Sequence, residues 1–156
     1  MDNKLRIAGI VEESIVDGPG IRFVVFTQGC KHNCPGCHNP HTHSFDGGEI
    51  VEIDSIIDSI KENPLLSGVT LSGGEPFEQA KALAELSKKI KELGYNIISY
   101  TGYTYEYIIE NSSEASGWMD LLKEIDILID GRFEIEKKSL NLRYKGSSNQ
   151  RIIDVK

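Results

Sequence analysis

Hydrophobic residues form two kinds of pattern, which take turns along this chain. One pattern is a short, nearly continuous run of aliphatic, β-branched and aromatic residues, which is typical of strands in a parallel sheet that is covered on both faces. We expect a strand wherever such a run occurs. The runs lie at residues 5–11, 21–27, 69–72, 96–100 and 125–130.

The second pattern is an apolar spacing of three or four residues, which places hydrophobic side chains on one face of a helix. It predicts helices over residues 53–60 and 83–93. Residues 104–124 are expected to hold one or two more helices, with a break near residues 112–117. The predicted helices therefore lie between the predicted strands.

Strands that alternate with helices predict an α/β fold with a parallel sheet and right-handed crossovers. About five or six mainly parallel strands are too few to close an eight-stranded barrel, so we expect an open, partial (β/α) barrel in a single domain, residues 1–156. Two segments are polar: residues 38–49, which should pack little, and residues 141–151, which form a loop ahead of a short apolar run.

Composition narrows the choice of partner and compartment. The 156 residues carry a formal net charge of −7, which disfavours a nucleic-acid partner and favours a protein or a small molecule. The chain opens without a signal peptide and has no apolar stretch long enough to span a membrane, so we expect a cytoplasmic protein. A reducing cytosol would keep its thiols available for a metal.

All the cysteines lie in one short loop after the predicted strand 21–27, at Cys30, Cys34 and Cys37. Loops this short close disulfides poorly, and one thiol would be left over, so a metal or iron–sulfur centre is the simpler interpretation. Three thiolates are one short of a full set for a [4Fe-4S] cluster, which would leave one iron open to a substrate. The alternative is a structural Cys₃His zinc site, although no second cysteine pair supports it.

A glycine turn follows the predicted strand 69–72. Gly73 and Gly74 would let the backbone approach a ligand closely, and Glu75 offers an acceptor for an ammonium group. A plain turn, with Glu75 at the amino end of a helix, explains the same residues. Polar residues also stand at the ends of later predicted strands, at Ser99, Thr101 and Asp130.

Together, the cysteine loop and the glycine turn resemble the radical S-adenosylmethionine (SAM) superfamily, whose members carry Cys-x-x-x-Cys-x-x-Cys after the first barrel strand and Gly-Gly-Glu-Pro after the second. Residues 17–22 and 37–40 look like those of the enzymes that activate glycyl-radical enzymes. Within that group, four segments are similar to the activating proteins of anaerobic (class III) ribonucleoside-triphosphate reductases: residues 34–37, 101–103, 129–133 and 144–151. In one departure from the superfamily, Gly36 stands where many members have an aromatic residue.

The resemblance implies a role for each matching residue. Cys30, Cys34 and Cys37 would bind three irons of a [4Fe-4S] cluster, while the amino and carboxylate groups of SAM chelate the fourth. The implied SAM-binding residues are Gly73, Gly74 and Glu75 at the amino group, the backbone of Gly36, Cys37 and His38 along the adenine, and Ser99, Thr101, Asp130 and Arg132 at the ribose or carboxylate. Arg132 could pair with Glu134 instead.

A contact with the glycine loop of a partner is also implied, although a turn before a strand explains the same residues equally well. These residues are Asp17, Gly18, Gly20 and Arg22.

The implied activity is reductive cleavage of SAM at the cluster and formation of a glycyl radical on anaerobic ribonucleotide reductase. The implied partners are the large subunit of that reductase and a low-potential electron donor of the flavodoxin or ferredoxin type. No side chain is expected to act as a catalytic acid or base. The alternatives are an activase of another glycyl-radical enzyme, such as a formate-lyase, and a zinc-binding module without catalytic activity.

Overall fold

A computed structural model of the chain describes residues 3–15, 18–30, 47–132 and 149–155. Within these residues, seven strands form one sheet in the order β3-β1-β2-β4-β5-β6-β7. The strands are β1 (Lys4–Ser14), β2 (Arg22–Thr27), β3 (Glu49–Glu52), β4 (Gly68–Gly73), β5 (Asn96–Tyr100), β6 (Ile127–Asp130) and β7 (Arg151–Asp154). The helices in the same part of the chain are α1 (Ile53–Lys61), a 3₁₀ helix (Pro76–Gln79), α2 (Ala80–Glu92), α3 (Tyr105–Asn111) and α4 (Trp118–Leu122).

The centre of the sheet is parallel, because β2 pairs with β4, β4 with β5 and β5 with β6. The apolar runs of the sequence form these strands, since their side chains are mostly buried on both faces. Phe23, Val24 and Val25, for example, follow one another in β2 and are all fully buried. The prediction of a mixed α/β fold with a parallel sheet is therefore confirmed.

The flanks of the sheet differ from the prediction. β1 lies antiparallel between β2 and β3, and β7 pairs antiparallel with β6. The sequence pattern does not predict β3 or β7, because both are edge strands whose side chains are mostly exposed. Backbone pairing, and not an apolar pattern, defines these two strands. Among the described strands the sheet is open, with β3 and β7 at its two edges. The partial barrel stays a prediction.

The helices follow the predicted apolar spacing. The buried face of α1 carries four isoleucines, Ile53, Ile56, Ile57 and Ile60. α2 packs against α1, α4 and β5 and contributes its own apolar face to the same core. The predicted break separates α3 from α4, at Gly117 with a φ of 70°. None of the helices in the described ranges is long and apolar enough to cross a membrane.

Candidate functional site

Four parallel strands end at the same side of the sheet, which we call the carboxyl edge. Their last residues are Thr27 in β2, Gly73 in β4, Tyr100 in β5 and Asp130 in β6. Open α/β sheets bind their ligands outside this edge. Cys30 stands just beyond Thr27 and is half-buried. The other predicted residues of the cysteine loop lie outside the described residues, namely Cys34, Gly36, Cys37 and His38.

The glycine turn after β4 packs directly against the chain that enters the cysteine loop. The Gly74 amide donates to the Thr27 carbonyl at 2.8 Å, and the Glu75 amide donates to the Gly29 carbonyl at 2.8 Å. Gly73 has a φ of 98°, and a Cβ at this position would lie 2.3 Å from the Thr27 nitrogen. Only glycine fits so close a contact at a positive φ. The turn is therefore held beside Cys30.

The Glu75 side chain is fully buried and joins the ends of β4 and β5. Its Oε2 accepts from the Thr101 hydroxyl at 2.8 Å and from the Phe77 amide at 3.0 Å. Its Oε1 accepts from the Gly102 amide at 2.7 Å. A buried carboxylate needs such donors, because they replace the water that it loses. We call this arrangement of Glu75, Phe77, Thr101 and Gly102 the Glu75 clasp.

The clasp bears on two predictions. Glu75 caps the 3₁₀ helix through the Phe77 amide, as the plain-turn interpretation expects, and its role toward the SAM amino group stays a prediction. The Thr101 hydroxyl donates to Glu75, and Ser99 donates to the Tyr100 carbonyl at 3.1 Å. Both hydroxyls lie in the interior of the protein, so contact with a ribose also stays a prediction.

Asp130 is fully buried at the end of β6 and binds Arg151, the first residue of β7. Arg151 Nε donates to Asp130 Oδ1 at 3.0 Å, and the Tyr105 amide donates to Oδ2 at 2.7 Å. Arg151 also donates to the exposed Glu106 at 2.6 Å. The hydrogen bonds from Asp130, first, and Glu106 raise the pKa of Arg151 above its usual range. Sequence reasoning missed this partner, because Arg151 is far from Asp130 along the chain.

Arg132 follows β6 at the carboxyl edge, and its side chain is exposed. Its carbonyl accepts from the Asn149 side-chain amide at 2.8 Å. Glu134, the alternative partner that was predicted for Arg132, lies outside the described residues.

Arg22 lies at the opposite side of the sheet, which we call the amino edge. Its guanidinium is fully buried and donates to the Thr70 hydroxyl at 2.8 Å, the Val69 carbonyl at 2.8 Å and the Asn96 side-chain oxygen at 2.7 Å. Arg22 and Asn96 are the first residues of β2 and β5. The structure therefore shows an internal role for Arg22, as the interpretation of a turn before a strand expects, and its contact with a partner stays a prediction.

The glycines before Arg22 share this location. Gly18 is buried, and a Cβ there would lie 2.6 Å from the Arg22 side chain. Gly20 is exposed but sits against Ser67, whose Oγ would lie 2.2 Å from an added Cβ. Both belong to the amino edge, away from Cys30. Asp17 lies outside the described residues.

Tyr103 belongs to an aromatic cluster beside the Glu75 clasp. Its hydroxyl donates to Glu78 Oε1 at 2.6 Å, and its ring stacks on Tyr107 with the centroids 5.1 Å apart. The Trp118 ring lies 4.9 Å from Tyr103, and its N–H donates to the Phe77 carbonyl. Burial, and then the hydrogen bond to Glu78, raise the pKa of Tyr103 above its usual range. The cluster joins α3 and α4 to the 3₁₀ helix.

A [4Fe-4S] cluster fits the thiol donors of the chain, of which Cys30 is described at the carboxyl edge. Such clusters are held in proteins by cysteine thiolates. The structure fixes the start of the cysteine loop at this edge, because the amides of Gly74 and Glu75 bind the backbone on either side of Gln28, immediately before Cys30. Cys34 and Cys37 follow close behind in the sequence and complete a set of soft sulfur donors.

Comparisons with known proteins also indicate a [4Fe-4S] cluster. The family described as a 4Fe-4S single cluster domain matches residues 16–153. An anaerobic ribonucleoside-triphosphate reductase-activating protein from Vibrio cholerae is 36% identical over 145 residues, which cover 87% of this chain and 89% of the relative. A pyruvate formate-lyase-activating enzyme from Clostridium pasteurianum is 35% identical over 130 residues, which cover 80% of this chain and 50% of that enzyme.

One solved structure shares the fold. QueE from Escherichia coli superimposes with a TM-score of 0.52, over 65% of this chain and 53% of QueE. At 17% identity, this similarity concerns the fold alone. The Vibrio cholerae relative is matched over most of both chains at twice that identity. The chain therefore belongs to the 4Fe-4S single cluster domain family and to the anaerobic ribonucleoside-triphosphate reductase-activating proteins.

Proposed function

We propose that this protein is a radical SAM activase that generates the glycyl radical of an anaerobic ribonucleoside-triphosphate reductase. The contact between its two motifs carries the proposal. Gly74 and Glu75 donate backbone hydrogen bonds to Thr27 and Gly29, immediately before Cys30. A cluster bound from Cys30 onward and a SAM molecule held by the glycine turn would then be neighbours. The names of the relatives supply the target enzyme and argue against a zinc-binding module.

Cys30, Cys34 and Cys37 would hold the [4Fe-4S] cluster, which supplies the electron for reductive SAM cleavage and an open iron for the amino and carboxylate groups of SAM. The chain itself would bind and orient SAM and exclude water from it. Gly73 and Gly74 would offer backbone groups to the SAM amino group. No side chain needs to act as an acid or a base.

Glu75 would serve SAM binding in two ways. Its carboxylate already accepts hydrogen bonds from Thr101, Gly102 and Phe77, so it would keep the glycine turn in place. Its negative charge would also favour the ammonium group of SAM.

The rest of SAM would lie along the carboxyl edge, with the adenine against the backbone of residues 36–38. Arg132 is exposed just beyond β6, which supports a role at the SAM carboxylate. Asp130 is paired with Arg151 and would act through the shape and charge of this edge. Ser99 and Thr101 would support the strand ends that face the ribose.

The partners would be the large subunit of the reductase and a low-potential electron donor of the flavodoxin or ferredoxin type. The net charge of −7 supports protein partners over nucleic acid. We place the reaction in the cytoplasm, where reducing conditions preserve the thiolates. The open sheet would form part of a partial barrel that covers SAM from one side.

A second candidate target is a formate-lyase. The Clostridium pasteurianum enzyme is 35% identical to this chain and is named as the activase of pyruvate formate-lyase. This chain covers only 50% of that enzyme, however, whereas it covers 89% of the Vibrio cholerae protein. The coverage favours the reductase.

The proposal is tested by anaerobic reconstitution with iron and sulfide, reduction with dithionite, and electron paramagnetic resonance (EPR). We expect the signal of a reduced cluster that changes shape when SAM is added, and release of 5′-deoxyadenosine. With the reductase present, a glycyl-radical doublet should appear, and pyruvate formate-lyase should stay without one. A cluster that ignores SAM would contradict the activase, while a doublet on formate-lyase alone would change the target.

A further inference from the structure

Gln79, the last residue of the 3₁₀ helix, binds the backbone of β1 and of the segment after β2 through its side-chain amide. Its Oε1 accepts from the Arg6 amide at 2.9 Å, and its Nε2 donates to the Arg6 carbonyl at 2.7 Å. The same Nε2 donates to the Gln28 carbonyl at 3.2 Å. Gln79 therefore joins β1 to the residue that follows β2, two positions before Cys30.

Arg6 extends this connection to the far side of the cysteine loop. Its carbonyl accepts from the Gln28 amide at 3.1 Å, and its guanidinium Nη1 donates to the Gly47 carbonyl at 2.9 Å. Gln28 precedes the segment that carries the three cysteines, and Gly47 follows it. One residue of β1 is thus bound to both ends of that segment.

The backbone at the second end is also closely packed. Gly48 has a φ of 68°, and a Cβ there would lie 2.2 Å from the Ile7 carbonyl oxygen. The next residues enter β3, where Glu49 pairs with Ile7 and Ile50 with Arg6. The chain therefore returns from the cysteine loop onto the same part of β1 from which Arg6 and Gln79 hold its start.

We propose that Arg6 and Gln79 are positioning residues for the iron–sulfur cluster. They form a clamp that fixes both ends of the cysteine loop. Holding the ends of a long loop lowers the entropy that its ligands lose when they converge on one centre. Residues behind the direct ligands of a metal commonly control how firmly it is held. This inference rests on the proposed function, since it assigns a role in holding that function's cluster.

The clamp also links the cluster to the SAM-binding turn. Gln79 ends the same 3₁₀ helix that Glu75 caps at its start. Glu75 in turn holds the ends of β4 and β5 through its clasp. The glycine turn and the cysteine loop therefore share one short helix as their support, so a change at Gln79 should alter the geometry between cluster and SAM.

Three substitutions separate the parts of the clamp. Leucine is similar in size to glutamine, so Gln79→Leu removes all the hydrogen bonds of the side-chain amide with little change in volume. Gln79→Glu keeps an acceptor for the Arg6 amide but loses both hydrogen bonds that Nε2 donates. Arg6→Met keeps the backbone bonds of Arg6 and removes its guanidinium, and with it the contact with Gly47. Lys91→Met is the matched control, because it breaks the partly buried pair with Asp126 at the start of β6, on the amino side of the sheet.

The experiment uses the full chain, reconstituted anaerobically with iron and sulfide. It measures the rate of iron release to a chelator, the EPR spectrum of the reduced cluster with and without SAM, and the melting temperature. For Gln79→Leu and Gln79→Glu we expect about tenfold faster iron release and a smaller spectral response to SAM. Arg6→Met should give a smaller increase in release. Lys91→Met should lower the melting temperature but keep the iron-release rate and spectra of the unmodified protein.

The outcomes distinguish this inference from the proposed function. If the unmodified protein holds a SAM-responsive cluster and the Gln79 variants release iron no faster than Lys91→Met, the clamp is wrong and the activase stands. The clamp is also wrong if iron release merely follows the loss of melting temperature across all the variants. If the unmodified protein takes up no cluster, both proposals fail.

Discussion

At the carboxyl edge of the sheet Glu75 is fully buried, and at the amino edge Arg22 is fully buried. Each stands next to glycines in a short motif, and each binds groups of neighbouring strands. Glu75 accepts from Thr101 and Gly102 at the end of β5. Arg22 donates to Asn96 at the start of the same strand. The two residues thus secure opposite ends of β5.

Strand direction decides what each of these charged residues can do. The backbone of Glu75 is bonded to Gly29, beside Cys30, so a change in the clasp reaches the predicted cluster site. Arg22 lies at the other end of β2, with the length of the strand between it and the cysteine loop. We therefore expect similar motifs to have different consequences, with chemistry at one edge and stability at the other.

The largest effect is expected from Cys30→Ala, just beyond the end of β2 at the carboxyl edge. Removing one of three thiolates should prevent assembly of a complete [4Fe-4S] cluster and abolish SAM cleavage. Cys30 is only half-buried, so the fold should survive. Iron and sulfide analysis, 5′-deoxyadenosine formation and circular dichroism measure these properties. A variant that keeps a full cluster and cleaves SAM would show that the ligands lie elsewhere.

Arg22→Met should show the opposite behaviour at the amino edge. Methionine keeps much of the packing but leaves the Thr70 hydroxyl, the Val69 carbonyl and the Asn96 side chain without the guanidinium. Unpaired buried polar groups of this kind should lower the free energy of unfolding by about 3 kcal/mol. Denaturant unfolding measures the loss. SAM cleavage per mole of bound cluster should stay at the level of the unmodified protein, and a selective loss of cleavage would contradict the separation of the edges.

Gly73→Ala and Gly94→Ala compare the same substitution in two surroundings. The φ values are similar, 98° and 91°, but a Cβ at Gly73 would meet Thr27 at 2.3 Å, whereas one at Gly94 would meet nothing within 4 Å. Gly94→Ala should cost only the backbone strain, about 1 kcal/mol. Gly73→Ala adds a clash with β2 and should cost about 2–4 kcal/mol in total.

The same pair of variants tests the link to SAM. Gly73→Ala displaces the turn that lies beside Cys30, so it should also weaken SAM binding to the reconstituted protein. Titration calorimetry under anaerobic conditions measures the affinity, and thermal unfolding measures the stability. Equal effects of the two variants in both measurements would mean that the contact with Thr27 has no importance.

Thr101→Val sharpens the comparison within the Glu75 clasp. Valine has the shape of threonine but removes one of the donors that Glu75 receives. A hydrogen bond to a buried charged group contributes about 2 kcal/mol, and the Tyr103 amide also loses the Thr101 hydroxyl as its acceptor. The free energy of unfolding should therefore fall by about 2–3 kcal/mol. SAM affinity should fall with it, because Glu75 holds the turn. Thr101→Ser keeps the hydroxyl and serves as the control, and it should stay close to the unmodified protein in both properties.

Much of this arrangement could be predicted from the sequence, because local patterns determine it. The apolar runs predict the parallel strands, and the spacing of Ile53, Ile56, Ile57 and Ile60 predicts α1. The positions of Cys30 and the glycine turn at strand ends follow from the order of the elements. The edge strands β3 and β7 could not be predicted in this way, since backbone pairing defines them and their side chains are mostly exposed.

Contacts between distant residues were also beyond the sequence. Nothing near Thr101 indicates that its hydroxyl binds Glu75, and nothing near Gln79 indicates that its amide binds Arg6. The same limit applies to the buried contacts of Arg22 with Thr70 and Asn96. Its motif could be recognised from the sequence, but its contacts with β4 and β5 depend on the order of the strands in the sheet. Topology therefore supplies the information that a motif lacks.

The smallest effect on stability is expected from a substitution of Glu106, an exposed residue of α3. Arg151 binds the buried Asp130 and the exposed Glu106. The hydrogen bond from Arg151 to Glu106 is the main cause of the lowered pKa of Glu106. A carboxylate with a lowered pKa stabilises the fold above its unfolded pKa, and this contribution is lost as the pH falls through the folded pKa.

Glu106→Gln should therefore have a slightly lower melting temperature than the unmodified protein at neutral pH, and the difference should vanish in acid. Added salt should reduce it as well, because the pair is exposed. Melting curves across pH and salt measure both trends, and a difference that persists in acid would assign the stabilisation to packing of the Glu106 side chain and not to its charge.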